Sequence, residues 1–224
     1  MILSKIKAIL YAIEFIISVI LIIFFMWLFP KHMHKARRIW ARIQRFFGLY
    51  EIEIVGEPDL NANIILINHQ SMLDIIVMEE IYPKNLSWVA KKEIGDIPII
   101  GKILTLPKML PIDRSPRGIV NLIKEAKDRL QSGRVIAIFP EGTRGRGEKL
   151  LKFQVGAKVL TEKLNLKAQP VVIVGTNIMD AKRFSFKNGK IKIIYLPLID
   201  TTDERWLENT RDTMQQTLSK ELAI

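Results

Sequence analysis

Asn63-Ile64-Ile65-Leu66-Ile67-Asn68-His69-Gln70-Ser71-Met72-Leu73-Asp74 decides how this chain folds. Residues 63–67 form a short β-branched run of the kind that builds a buried strand, and Ser71 suits the N-cap of the apolar helix that follows. In one continuous helix a five-residue offset turns the second side chain roughly 140° from the first, so His69 and Asp74 could not share a face. The stretch therefore reads as strand, turn and helix, with His69 on the turn and Asp74 in the first helical turn. From there a carboxylate can reach back to the imidazole, fix its tautomer and leave the other ring nitrogen free to take a proton from a hydroxyl. The same residues also fit a plain capping pair, Ser71-x-x-Asp74, beside a turn histidine with no chemical role.

A second stretch lies about seventy residues on. Arg134-Val135-Ile136-Ala137-Ile138-Phe139 reads as another buried strand, and Pro140-Glu141-Gly142-Thr143-Arg144-Gly145-Arg146-Gly147 is a turn whose glycines permit unusual backbone angles. Exposed backbone N–H groups, the Thr143 hydroxyl and the Arg144 guanidinium suit a phosphate oxygen. A solvated basic loop is the alternative. Between the two stretches, Leu110-Pro111-Ile112-Asp113-Arg114 puts an arginine at a strand end, where it can meet a second phosphate oxygen or pair with Asp113.

Beyond residue 50 short apolar segments alternate with helical ones. Residues 51–55, 64–67, 86–90, 135–139, 171–174 and 191–196 read as strands, and 116–131, 153–165 and 203–222 as helices. Ser115 before Pro116 and Gly133 after Gln131 supply start and stop chemistry for the first helix. The fold expected is α/β: a mixed, largely parallel sheet flanked by helices. Both motif turns then follow strand C-terminal ends, where open α/β sheets hold ligands. Residues 97–106, bounded by Pro98 and Pro107, are apolar and read as core in preference to an acyl-chain groove.

The N-terminus is a different material. Residues 8–29 are apolar apart from Glu14, and as a helix they would extend about 33 Å, close to a bilayer core. No small-residue cleavage site follows, so a membrane attachment is expected in preference to a cleaved signal. Lys31, Lys35, Arg37, Arg38, Arg42 and Arg45 follow the run and only Lys5 and Lys7 precede it, which directs the remaining chain to the cytoplasmic side. In residues 37–49, Ile39, Trp40, Ile43, Phe46 and Phe47 recur at helical spacing between arginines, a pattern for a helix lying in an anionic interface. An ordinary helix docked on the core is the alternative. Glu14 is costly in mid-bilayer unless neutral, paired or near the interface, and both a full crossing and a shallow two-helix insertion fit the length. The expected division is a membrane-anchoring segment, 1–49, and a catalytic domain, 50–224.

Composition narrows the chemistry. The 224 residues carry a formal net charge of +11, three histidines and no cysteine. Absence of cysteine excludes a thiol nucleophile and disulfides, and Ser71 has no spare histidine to activate it, because His32 and His34 lie in a separate basic segment. No His/carboxylate cluster has a recognisable metal spacing, although a carboxylate-only magnesium site stays open. Nucleic acid is disfavoured as the partner of the basic charge, since that charge adjoins bilayer-length apolar sequence and no nucleic-acid fold signature occurs.

His69-x-x-x-x-Asp74, Ile112-Asp113-Arg114, Phe139-Pro140-Glu141-Gly142-Thr143-Arg144 and Gln169-Pro170-Val171-Val172 occur in the order of the four blocks of the glycerolipid acyltransferase family, which the chain resembles over about residues 50–200. Within that family it looks most like the members that act on 1-acyl-glycerol 3-phosphate. The resemblance implies a glycerol-3-phosphate acyltransferase-like fold. It also implies a reaction in which His69 deprotonates the free hydroxyl of a lysophospholipid for attack on an acyl thioester, Asp74 holds the imidazole, and no acyl-enzyme forms. Arg114 and the turn Glu141, Gly142, Thr143 and Arg144 would bind the phosphate. No cofactor is implied: the acyl-CoA or acyl carrier protein thioester is a co-substrate, and the partners are the lysophospholipid and an anionic bilayer. Two departures touch acceptor and donor preference: Lys108 stands where a glycine is usual, and Phe153-Gln154-Val155-Gly156-Ala157 lacks the usual lysines. The same chemistry on glycerol 3-phosphate, another lysophospholipid or a lyso-aminolipid is an alternative, as is a non-catalytic adaptor that binds anionic lipid.

Overall fold

Helix α1 (Ile2–Leu28) carries the apolar run and is long and apolar enough to cross a membrane. A 3-10 turn at Pro30–His32 reverses the chain into α2 (Met33–Gly48), as expected where proline cannot extend a helix. The computed structural model describes residues 2–113, 115–145, 147–180 and 183–223.

Arg37, Ala41, Gln44 and Gly48 recur at helical spacing and are the buried residues of α2, so the helix docks by its small and polar side. A Cβ on Gly48 would lie 2.6 Å from the Tyr50 ring, which makes glycine necessary at this approach. Ile39, Ile43, Phe46 and Phe47 are left exposed. Glu14, the one acid in the apolar run, faces α2: its Oε1 accepts from Gln44 Nε2 at 2.9 Å. Gln44 Nε2 and Trp40 Nε1 also donate to Ser18 Oγ.

The chain continues through β1 (Tyr50–Val55), β2 (Ile64–Ile67), α3 (Leu73–Ile81), β3 (Leu86–Lys91), the short α4 (Lys92–Gly95) and α5 (Lys102–Thr105), and β4 (Leu110–Ile112). Then come α6 (Pro116–Gln131), β5 (Val135–Ile138), α7 (Val155–Lys163), β6 (Ala168–Val174), a small hairpin of β7 (Met179–Asp180) and β8 (Ser185–Phe186), β9 (Gly189–Tyr195) and α8 (Trp206–Leu222).

Seven strands form one sheet in the order β1-β9-β6-β2-β5-β3-β4. Every neighbouring pair is parallel except β6 with β9. This is the mixed, largely parallel sheet that the sequence implies. Strand side chains alternate between the faces. Ile65, Ile67, Val135 and Ala137 meet Leu73, Ile76 and Val77 of α3 on one side. On the other, Ile64, Leu66 and Ile136 meet Leu122 and Ala126 of α6, Leu160 of α7, and Met214 and Leu218 of α8. Burial on both faces is why β2 and β5 are unbroken apolar runs, each large aliphatic side chain contributing about 1.5–3 kcal/mol.

Helix α1 lies along this domain. Lys7 Nζ donates to Gly48 O and Asn188 Oδ1, the Tyr11 ring meets Phe186 edge-on at 4.6 Å, and Val19, Ile22, Ile23 and Met26 pack with Ile103 and Leu106. Residues 97–106 are accordingly core only in their second half: Ile97 and Ile99 are exposed, whereas Ile103, Leu104 and Leu106 pack inward.

Candidate active site

Parallel pairing of β2 with β5 brings the two motif turns side by side at the C-terminal edge of the sheet. Asn68 closes β2 by an amide pair with β6: its Nδ2 donates to Ile173 O at 2.9 Å and its Oδ1 accepts from Ile173 N at 2.7 Å. His69 follows on the turn and Asp74 lies in the first turn of α3, as the spacing argument requires.

Asp74 is fully buried, and its carboxylate is saturated by the chain around it. Oδ2 accepts from the N–H groups of Gln70 and Ser71 at 2.7 and 2.8 Å and lies 2.8 Å from His69 Nδ1. Since a carboxylate offers only acceptors, Nδ1 is the donor, and in the neutral ring the lone pair is therefore on Nε2. Ser71 does not cap α3 as the sequence suggests. The N-cap is Met72 without a side-chain bond, Ser71 Oγ accepts from Leu73 N, and Asp74 satisfies the free N–H groups of the turn itself.

Thr176 completes the carboxylate shell, donating from Oγ1 to Asp74 Oδ1 at 2.6 Å. Sequence reasoning missed this residue. Its one local mark is the preceding Gly175, which has φ +91° and whose added Cβ would lie 2.4 Å from Lys190 O; nothing in the sequence links that turn to Asp74.

Glu141 ties the two motifs. Its Oε1 accepts from His69 N and its Oε2 from Leu151 N, both at 2.8 Å, and burial pushes its carboxyl above the usual range against the pull of those two N–H groups. Gly145 N donates to His69 O at 2.7 Å and Gln70 Nε2 to Gly147 O at 2.9 Å. Gly142 and Gly147 take φ of +68° and +113°, the left-handed angles for which glycine suits this turn.

Thr143 and Arg144 are exposed and half-buried Gly142 precedes them, so among the described residues the turn presents the Thr143 hydroxyl and the Arg144 guanidinium to solvent, on the segment that is hydrogen-bonded to the His69 backbone. Arg114 lies outside the described residues. The His69 side chain is 12% exposed, and its ring stacks on Phe139 with centroids 3.8 Å apart and planes 13° apart. Among the described residues no three His, Asp or Glu side chains converge as a metal site.

A largely buried, oriented imidazole whose Nε2 has no hydrogen-bond partner among the described residues, beside a basic turn, can remove a proton from a hydroxyl whose parent molecule carries an anion. The acyltransferase family model matches residues 51–174, which contain both turns. The 1-acyl-sn-glycerol-3-phosphate acyltransferase of Helicobacter pylori strain J99 is 38% identical over 220 residues, 95% of this chain and 92% of that protein. The protein of the same name from Saccharomyces cerevisiae is 30% identical, covering 84% of this chain and 67% of its own length. The crystal structure of the 1-acyl-sn-glycerophosphate (LPA) acyltransferase PlsC from Thermotoga maritima has the same fold, with a TM-score of 0.82 at 19% identity over 100% of this chain and 98% of that one. On the extent of these matches, this chain belongs to the acyltransferase family.

Proposed function

We propose that this protein is a membrane-bound enzyme that moves a fatty acyl group from an acyl-CoA or acyl carrier protein thioester to the free hydroxyl of 1-acyl-glycerol 3-phosphate, making phosphatidic acid for phospholipid synthesis. The observation that carries the reading is the His69 imidazole, held by Asp74 through Nδ1 with Nε2 free, on the edge of the sheet it shares with the basic turn. His69 Nε2 takes the hydroxyl proton as the oxygen attacks the thioester carbonyl. Asp74 offsets the charge of the imidazolium that forms. The C–S bond then breaks, and the departing thiolate recovers the proton from His69. Ester and free thiol are the products, without a covalent enzyme intermediate.

The phosphate of the acceptor is assigned to the turn: the Arg144 guanidinium, the Thr143 hydroxyl and the N–H groups around Gly142 are donors suited to it. Arg114 is assigned a second phosphate contact. Glu141 acts by shaping the turn, since both its oxygens already accept backbone N–H bonds.

Helices α1 and α2 form the anchor, residues 1–49, and 50–224 the catalytic domain. The outward side chains of the pair, from Ile9, Ile13 and Ile16 on α1 to Ile43 and Phe46 on α2, are large, apolar and exposed, which supports burial in lipid. Contacts to the domain from Lys7, through Asn188, to Met26 support a shallow insertion along one leaflet in preference to a crossing. Exposed Lys31, Lys35 and Arg42 suit the anionic cytoplasmic leaflet.

The test is thiol release from oleoyl-CoA by purified, detergent-solubilised protein with and without 1-acyl-glycerol 3-phosphate. Acceptor-dependent release is expected, and His69→Ala should lower it about 100-fold or more while circular dichroism stays that of wild type. Near-normal turnover in that variant removes His69 from the chemistry.

A further inference from the structure

Helix α2 meets the domain through a buried charge. Arg37 and Glu79 are 4% and 6% exposed, and Arg37 Nη1 lies 2.6 Å from Glu79 Oε1. The same oxygen accepts from Trp88 Nε1 at 2.7 Å. The Trp88 indole stacks on Phe139, centroids 5.2 Å apart and planes 24° apart, and Phe139 stacks on His69. Four contacts in series thus run from the anchoring helix to the imidazole.

Each contact restricts the next. The bond from His69 Nδ1 to Asp74 holds one edge of the ring but leaves its plane free to tilt about that edge; the near-parallel face of Phe139 removes the tilt. Phe139 is itself half-buried and rests on Trp88, whose indole is held by Glu79. When His69 takes a proton, the cation lies over an aromatic face, where charge is favoured. Stability is a weak reason for the pair: Arg37 Nε is buried with no hydrogen-bond partner among the described residues, and buried pairs of this kind are commonly matched by apolar packing.

We propose that Phe139 and Trp88 are positioning residues for His69, and that the Arg37–Glu79 pair fastens their stack to α2, so that the seating of the anchoring helix on the domain sets the plane of the imidazole. The inference rests on His69 being the general base.

The test uses the full chain in one lipid–detergent mixture and compares kcat, KM and the pH dependence of kcat. Phe139→Leu keeps bulk and removes the aromatic face: kcat should fall about fivefold to tenfold, with KM for 1-acyl-glycerol 3-phosphate within about twofold of wild type. The acid limb of its pH profile should move to lower pH, with Asp74 and Glu141, which are hydrogen-bonded to His69, and Arg144 on the neighbouring turn left in place. Phe139→Tyr should restore both. Trp88→Phe, which keeps the stack and loses the N–H to Glu79, and Glu79→Gln, which keeps an acceptor and loses the charge opposite Arg37, should each lower kcat about threefold at constant KM. Wild-type kcat and pH profile in folded Phe139→Leu and Trp88→Phe overturn the proposal, as does a loss confined to KM. If Phe139→Leu does not fold, Trp88→Phe and Glu79→Gln decide by the same criteria. Activity retained in His69→Ala defeats the general-base reading; an inactive His69→Ala beside unaffected Phe139 and Trp88 variants defeats the positioning role alone.

Discussion

Thr176 Oγ1 lies 2.6 Å from Asp74 Oδ1, joining residues 102 apart in the chain. A hydrogen bond to a buried carboxylate is worth about 1.5–3 kcal/mol, and here it also fixes which oxygen faces His69. Thr176→Val, similar in shape but without a donor, should lower kcat about tenfold or more with little change in KM. Thr176→Ser should stay near wild type. Steady-state kinetics on both variants check this, and equal activity in the two would leave Thr176 a packing residue.

Arg144 is exposed on the turn whose Gly145 N–H bonds to the His69 carbonyl. Arg144→Ala should raise KM for 1-acyl-glycerol 3-phosphate about tenfold, the scale of one charge-assisted phosphate contact. A monoacylglycerol acceptor without phosphate should be turned over as by wild type. Parallel losses on both acceptors would point to a structural role for the arginine.

His34 on α2 has a pKa lowered to about 4, by burial first and by Arg37, Arg38 and Arg134 next. An unfolded histidine titrates near about 6.5, so between these values the unfolded chain binds a proton that the folded protein excludes. The resulting stabilisation is complete above about pH 6.5 and is lost as pH falls toward 4. Melting curves should therefore show a smaller drop in Tm between about pH 7 and pH 4.5 for His34→Gln than for wild type. Equal drops would remove His34 from the acid response.

Lys108 has φ +51°, a left-handed angle at which a Cβ is unfavourable by about 1–2 kcal/mol. The conformation is held from outside, since Lys108 O accepts from Arg129 Nε at 2.7 Å and from Arg134 Nη1 at 3.4 Å. The resemblance leads one to expect glycine here, and glycine adopts a left-handed angle without steric cost. Lys108→Gly should raise Tm by about 2–4 °C in calorimetry, and Lys108→Val should lower it.

Much of this architecture is legible locally. Strands 64–67 and 135–138 stand out because burial on both faces leaves no polar residue in them. Helix α6 starts and ends as read: Ser115 Oγ accepts from Gly118 N at 3.1 Å, and Gly133 takes φ +75°. The His69/Asp74 geometry follows from a five-residue spacing across a strand-to-helix turn. Other readings fail where a distant partner intervenes. Ser71 resembles an N-cap, yet Asp74 takes the N–H groups of Gln70 and Ser71 because its carboxylate also serves His69 and Thr176. Arg37 looks like one more solvated cation of a basic run and is buried against Glu79. The β7–β8 hairpin is too short to have a pattern.

The sequence by itself determined the main elements of this protein, the placement of His69 on a turn with Asp74 within reach of it, and the lipid-like character of its N-terminus, because periodicity, capping and turn chemistry act over a few residues. Tertiary structure decided which strands became neighbours, that Thr176 and Glu141 complete the turns around His69, and that Arg37 reaches Glu79. Those contacts depend on how the parallel strands and the helix pair pack, a long-range property that no local run of residues encodes.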